Sequence, residues 1–423
     1  MKQLIWLSSL GLLTTSGVCS ALDPLFEYDT ETTQAVQKEK SLSNEFSLYS
    51  KFSLEGKDVG EPRHLKTELS SDYDKTFAND VQVSVGGKAS VDVANELYRH
   101  DWNEATDETY KTNVELKQAW VKVPLSERAS LKAGRQVVAL GNSDFYKNMD
   151  VVNPIDLRYP GTVRLDQLRL PKGAMVYQYE KPQDTNSDAL VNGYDVSLVY
   201  GFENRFDELP PHGSDFALQP VPVKRKQANN LNGSDVTLHV TYEALGLENQ
   251  AMLSRHYHAT PRITQTPLGT LESDHLRVNQ VGLSSKFIGK RTELFVESSV
   301  LKVDDDDVKK TKANHIVGVA YNGFKNTRIS AEGFANNFDN YDQAAINVNR
   351  SFNNGSLNAG VNYVHTDYDD AGDSTLASAY MTYEHNDQVT VRSKAVHFTA
   401  SDDSPTKAWA DNDFVDVNVS YSF

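Results

Sequence analysis

The chain has 423 residues, a formal charge of −16 and 39% hydrophobic residues. The acidic balance excludes a nucleic-acid footprint, which is basic, and the apolar share is thin for a solid core in a chain of this length. Beyond the N-terminus no stretch reaches the ~18 apolar residues of a membrane-crossing helix.

Met1-Lys2 is a short basic start, Leu4 to Leu13 is an apolar run, and Cys19-Ser20-Ala21 offers small residues for cleavage. That is the layout of a secretory signal. Residues 1–21 are therefore read as a signal peptide and 22–42 as a periplasmic N-terminal segment. Cys19 is the single cysteine, so the mature chain is exported yet has no disulfide framework. Exported, large, acidic and cysteine-free points to a Gram-negative envelope and to its outer membrane.

From residue 43 the dominant signal is period two. In the stretch from Val81 to Val93, Val81, Val83, Val85, Ala89, Val91 and Val93 share one face, and Gln82, Ser84, Lys88, Ser90 and Asp92 the other. The run is longer than the ~5–6 residues of a globular strand and suits the ~9–11 of a tilted bilayer strand. Strands are predicted near 43–55, 64–73, 81–93, 110–123, 129–140, 173–181, 193–202, 233–243 and 249–259. Others follow near 275–288, 291–303, 312–322, 326–336, 342–352, 355–365, 374–384, 387–398 and 411–423. Short links such as Asn353-Asn354-Gly355 alternate with longer ones such as 203–232, 260–274, 304–312, 366–373 and 399–410. Short turns on one side and long polar loops on the other describe an outer-membrane barrel. The expected fold is all-β: a transmembrane antiparallel β-barrel of about 18 strands (16–18) over residues 43–423. Its polar strand faces would line a watery lumen.

Residues 141–172 break the alternation. The segment mixes charges with apolar residues and carries Pro154, Pro160 and Pro171. Loops this long are unusual unless functional, and an ordered one fits best folded inward against the lumen wall. Asp144, Asp150, Asp156, Arg158, Arg164, Asp166 and Arg169 are the candidates for a charged constriction, or for ion pairs that hold the loop's shape.

Gly134-Arg135-Gln136-x-Val138, Gly141-x-Ser143-Asp144 and Asp150-Val151-Val152-Asn153-Pro154-x-Asp156-Leu157-Arg158 resemble the signature of proteobacterial outer-membrane barrels catalogued as domain of unknown function 1302. Members are often encoded beside lipid-carrier-like envelope proteins and exporters. The resemblance thus implies traffic of hydrophobic or amphipathic molecules, with periplasmic lipid carriers as partners.

Further along, the basic run Lys224-Arg225-Lys226 is read as part of an external lid, and His256 and His258 as wall positions rather than metal ligands. The run from Asp304 to Asp307 reads as a solvated outer loop that could meet lipopolysaccharide through cations. The last strand puts Val415, Val417, Val419, Tyr421 and Phe423 on one face. Ending on aromatics, it looks like the signal that outer-membrane barrels present to their assembly machinery, with Tyr421 and Phe423 as its carriers. No Gly-x-Ser-x-Gly elbow or phosphate-cradling glycine loop is present, and no metal or cofactor site is expected. The expected function is a porin-like channel for small or amphipathic and hydrophobic molecules, not an enzyme. The alternative is a non-conducting envelope barrel serving assembly, lipid traffic or adhesion.

Overall fold

The computed structural model describes residues 40–423 except 56–58, 99, 101, 162–168, 184–190, 218–220, 226–233, 267–268, 305–310, 337–340 and 370. The expected signal peptide and nearly all of the N-terminal segment lie outside the described residues.

In chain order come β1 (Lys40–Ser53), β2 (Pro62–Thr76), β3 (Gln82–Asp92), the helices α1 (Ala94–Tyr98) and α2 (Glu104–Lys111), β4 (Thr112–Pro124) and β5 (Ala129–Gln136). Then follow β6 (Lys172–Lys181), β7 (Val191–Gly201), β8 (Val223–Arg225), β9 (Asp235–Ala244), β10 (Leu247–Tyr257), β11 (Arg262–Gln265) and β12 (Leu271–Asp274). The remainder is β13 (Arg277–Ile288), β14 (Thr292–Val303), β15 (Thr311–Phe324), β16 (Thr327–Asn336), β17 (Tyr341–Phe352), β18 (Leu357–Tyr368), β19 (Gly372–Glu384), β20 (Val389–Ala400) and β21 (Phe414–Ser422). β8, β11 and β12 form a small separate sheet, and the other 18 strands form one sheet. Successive wall strands pair antiparallel, and β1 pairs with β21 from Glu45–Ser422 to Ser53–Phe414, closing the ring.

The ring forms because each strand offers one face to lipid and the other to water. Successive side chains point to opposite faces, and burial here is inverted relative to a soluble protein. In β13, Gln280 and Ser284 are 4% exposed, whereas Val281 and Leu283 are 50% and 59% exposed. Elsewhere Ser84, Thr237, Gln250, Asn347, Asn362 and Ser420 are buried, while Leu69, Leu198, Val296, Val317, Val361 and Val419 are exposed. An apolar belt around a polar interior is what hydrocarbon demands, because closure satisfies the backbone within the wall.

All 18 expected strands are present, with shifted ends. The strand expected at 110–123 begins at Thr112, because α2 runs to Lys111, and the strand expected over 129–140 stops at Gln136. One link expected to be long is short: Tyr368 still pairs with Gly372, whereas the link expected over 304–312 spans 304–310. Polar and acidic residues there remain in the ladder, which polarity alone had marked as loop. The long links gather at one rim. They are 93–111, 137–171, 202–234, 258–276 and 401–413, opposite the rim that holds the turns such as Leu245–Gly246.

Candidate functional site: a loop across the barrel interior

The interior is organised where β5 ends. Gly134 has a φ of 129°, and a Cβ there would lie 2.1 Å from the Ala119 carbonyl oxygen, so only glycine lets β5 bend against β4. Three residues on, the chain leaves the wall and enters the lumen. Asn153, fully buried, clamps the two stems of the loop: its Nδ2 donates to the Leu170 carbonyl at 2.9 Å and to the Gln136 carbonyl at 3.3 Å. Its Oδ1 accepts from the Val138 amide at 2.7 Å, and Lys147 Nζ donates to its carbonyl.

The tip then docks on the opposite wall through two strand glutamates. Glu297 of β14 accepts the amides of Asn142 at 2.9 Å and Met149 at 3.0 Å. Glu332 of β16 accepts the Ser143 hydroxyl at 2.5 Å and the Asp144 amide at 2.9 Å. Buried carboxylates are costly unless bonded; here loop amides and a hydroxyl supply the donors, and charge-assisted bonds are the strong ones. Gly141 fits because a Cβ at its φ of 86° would meet a Glu297 oxygen at 2.8 Å. Phe145 and Tyr146 pack with Phe295, Ile316, Phe334 and Tyr341.

The returning limb reaches a third stretch of wall. Ile155 and Leu157 join Phe216, Val396, Phe398, Trp409 and Phe414 in an apolar cluster. The loop 202–217 is fixed over this cluster by Trp409 Nε1 donating to the Phe216 carbonyl at 3.0 Å and by Asp215, 3.1 Å from Arg63 and 4.0 Å from Lys51. Burial works to raise the Asp215 carboxyl, but the Lys51 and Arg63 charges outweigh it and hold it below the ordinary aspartate range. Lys51 also lies 4.3 Å from the Phe216 ring centroid.

The loop leaves open spaces on its several sides. One of about 1290 Å³ is lined by Asp156, Arg158 and Tyr159 with wall residues such as Lys66, Lys394 and Asp416. One of about 810 Å³ touches Asp150, Tyr146 and His256, and one of about 670 Å³ touches Asp144, Glu293 and Arg328. Asp150 pairs with Arg169 at 2.9 Å, and Arg158 with Asp156 at 2.6 Å and Glu208 at 2.9 Å. Asp144 is 3.8 Å from Arg328, and burial pushes its carboxyl up despite that cation. Asp144, Asp150, Asp156 and Arg158 thus each touch an open space, and the two aspartate–arginine pairs also brace the loop. Arg164 and Asp166 lie outside the described residues. Sequence reasoning did not single out Glu297 and Glu332; each is an acidic residue on an inward position of an alternating strand, which is the signal that marks them.

Other expected positions fall apart from this site. His256 is an inward wall residue bonded to Ser254 at 2.9 Å, and no group of three His, Cys, Asp or Glu residues among the described ones could hold a metal. Asp304 faces Arg255 at 3.1 Å, and the rest of its acidic run, like Lys226, lies outside the described residues. Tyr421 and Phe423 stack at 5.8 Å on the outer face, and Phe423 exchanges main-chain bonds with Asn44.

Solved structures share this fold at low identity. The chain is 12% identical to Acinetobacter baumannii OccAB4, with a TM-score of 0.55 over 92% of this chain and 100% of that one. It is 9% identical to Pseudomonas aeruginosa OpdK, solved with vanillate, with a TM-score of 0.57 over 91% and 98%. For P. aeruginosa OprD the values are 10%, 0.54, 91% and 95%. Among curated proteins no significant sequence match is found. A family model described as "Protein of unknown function (DUF1302)" matches residues 27–299, more than half of the chain, and the chain belongs to that family.

Proposed function

We propose that this protein is a porin-like channel of a Gram-negative outer membrane, narrowed by the loop that crosses its lumen. The observation that carries the reading is the polar interior, which the loop divides without filling. Wide barrels of this strand number hold water rather than a packed core. The fold likeness to OccAB4 and OprD supports it. Asp144, Asp150, Asp156 and Arg158 present charge to the remaining spaces, and fixed charges in a narrow passage select among solutes. Small polar solutes and amphipathic or hydrophobic molecules are the cargo in this reading. Periplasmic lipid carriers, the barrel assembly machinery and lipopolysaccharide are its partners.

Planar-bilayer recording of the purified protein tests it. Small unitary conductance steps are expected for the wild type and larger ones for Glu297→Ala/Glu332→Ala, in which the tip loses its dock. OpdK was solved with vanillate, so vanillate is a first permeant to try. Silence from both proteins would overturn the channel and favour a non-conducting barrel, the reading to which the apolar cluster beneath the mouth loops lends support.

A further inference from the structure

One strand of the closed wall is only half paired. β4 pairs with β3 from Thr112 to Lys122, but its ladder to β5 covers only Ala119–Pro124. Along residues 112–118 no main-chain partner on the β5 side exists among the described residues. Among the described residues no other wall strand leaves as long a stretch open; the next are the start of β1, before Asn44, and the end of β20, after Val396. The crossing loop is the cause. β5 and β6 both stop at the Gln136–Lys172 pair, and the described residues between them, 137–161 and 169–171, run inside the barrel.

Two arginines bridge the gap where the ladder stops. Arg135 Nε donates to the Leu116 carbonyl at 3.0 Å while the same guanidinium pairs with Glu203 at 2.5 Å. Arg205 reaches Glu115 of β4 at 3.0 Å and the Pro171 carbonyl at 3.1 Å. Side-chain bridges can swing aside, whereas a backbone ladder cannot. Outside, the rim is apolar: Val114 is 85% exposed, and Leu116, Val137 and Phe202 are exposed as well. Inside, Asn113 of the same unpaired stretch lines the space of about 1290 Å³. A rise of ~3.4 Å per residue and a tilt of ~35–45° place Leu116 and Val114 roughly 19–28 Å above the short-turn rim, near the top of an apolar band ~25 Å tall.

We propose that this gap is a side doorway. The apolar tail of an amphipathic molecule whose polar head rests in the lumen passes between β4 and the β5–β6 hairpin into the outer leaflet. A lumen that is polar and an exit that is apolar match the two ends of such a molecule. Unpaired backbone groups are costly against hydrocarbon, so the head of the passing molecule must meet them; in its absence Arg135 covers the Leu116 carbonyl and Arg205 the Glu115 carboxylate beside it. The proposal rests on the outer-membrane placement above and not on ion conductance.

A fluorescent label on Asn113→Cys, beside the gap, is compared with one on Asn362→Cys, which faces the same space from a fully paired part of the wall. The protein is reconstituted in vesicles whose phosphatidylcholine carries a nitroxide on its acyl chain. If tails enter the gap, the label at 113 is quenched at least about twofold more than that at 362, and Arg135→Ala/Arg205→Ala increases the difference, since the exposed edge then has no side-chain cover. Equal quenching in both backgrounds, with both labels responding to aqueous iodide, would overturn the doorway. Conductance together with equal quenching removes the doorway alone. A quenching difference without conductance removes the channel and leaves the doorway.

Discussion

Glu297 and Glu332 hold the loop tip by accepting donors that nothing else satisfies. Replacing Glu332 by Ala leaves the Asp144 amide and the Ser143 hydroxyl without their acceptor, at a cost of about 1–3 kcal/mol for a buried group. The expected result is a tip that protease cuts between residues 141 and 161 while the barrel itself stays intact; an uncut tip would show that the docking is dispensable. The glycines are tested separately. Gly134→Ala forces a Cβ toward the Ala119 carbonyl and Gly141→Ala toward Glu297, each at a positive φ, costing about 1–3 kcal/mol. Both should lower the temperature at which the folded band disappears on a gel. Asp215 gives a pH dependence with a definite sign. Its carboxyl is held low in the folded state, so its stabilisation of the mouth loop is present above the ordinary aspartate value of about 3.9 and is lost only as pH falls through the lower folded value. Trp409, bonded to Phe216 next door, should report this: its fluorescence should be flat down to about pH 4 and change only below it. Asp215→Asn should abolish the acid transition.

β4 is one strand by its geometry and two by its bonding. Residues 119–122 sit between two neighbours, while those of 112–118 have one. Hydrogen exchange should therefore divide the strand, with Val114 and Leu116 exchanging at least about tenfold faster than Trp120 and Val121, since protection follows the local opening free energy. Uniform protection would mean that the upper half is covered. The strand pattern was legible because lipid and water impose strict alternation, as in Val81 to Val93. The end of β5 was not, because Val137 and Val138 continue the apolar character after the ladder has stopped. The short helices α1 and α2 and the three-stranded mouth sheet left no periodic trace in so few residues. For the loop, its inward course could be read from composition and prolines, but which aspartate pairs with which arginine could not. Its partners could not, because Glu297 and Glu332 lie far along the chain, and one sequence does not say which wall a loop will reach.

For the whole molecule, the inverted burial predicts that boiling changes gel migration, as it does when a closed barrel opens, and that only detergent extracts the protein. Extraction by salt or alkali alone would contradict the apolar belt of Leu69, Leu198, Val296 and Val361. One further consequence follows from the loop's attachments. A ring of 18 strands around water has little inside to resist being squeezed into an ellipse. The chain anchored at Gln136 and Leu170 on one side also grips Glu297 and Glu332 on another and packs against Val396 and Phe414 on a third. Three fixed points define a circle. The segment that narrows the lumen therefore also works as an internal brace, holding the cross-section to one shape while the surrounding bilayer pushes from outside.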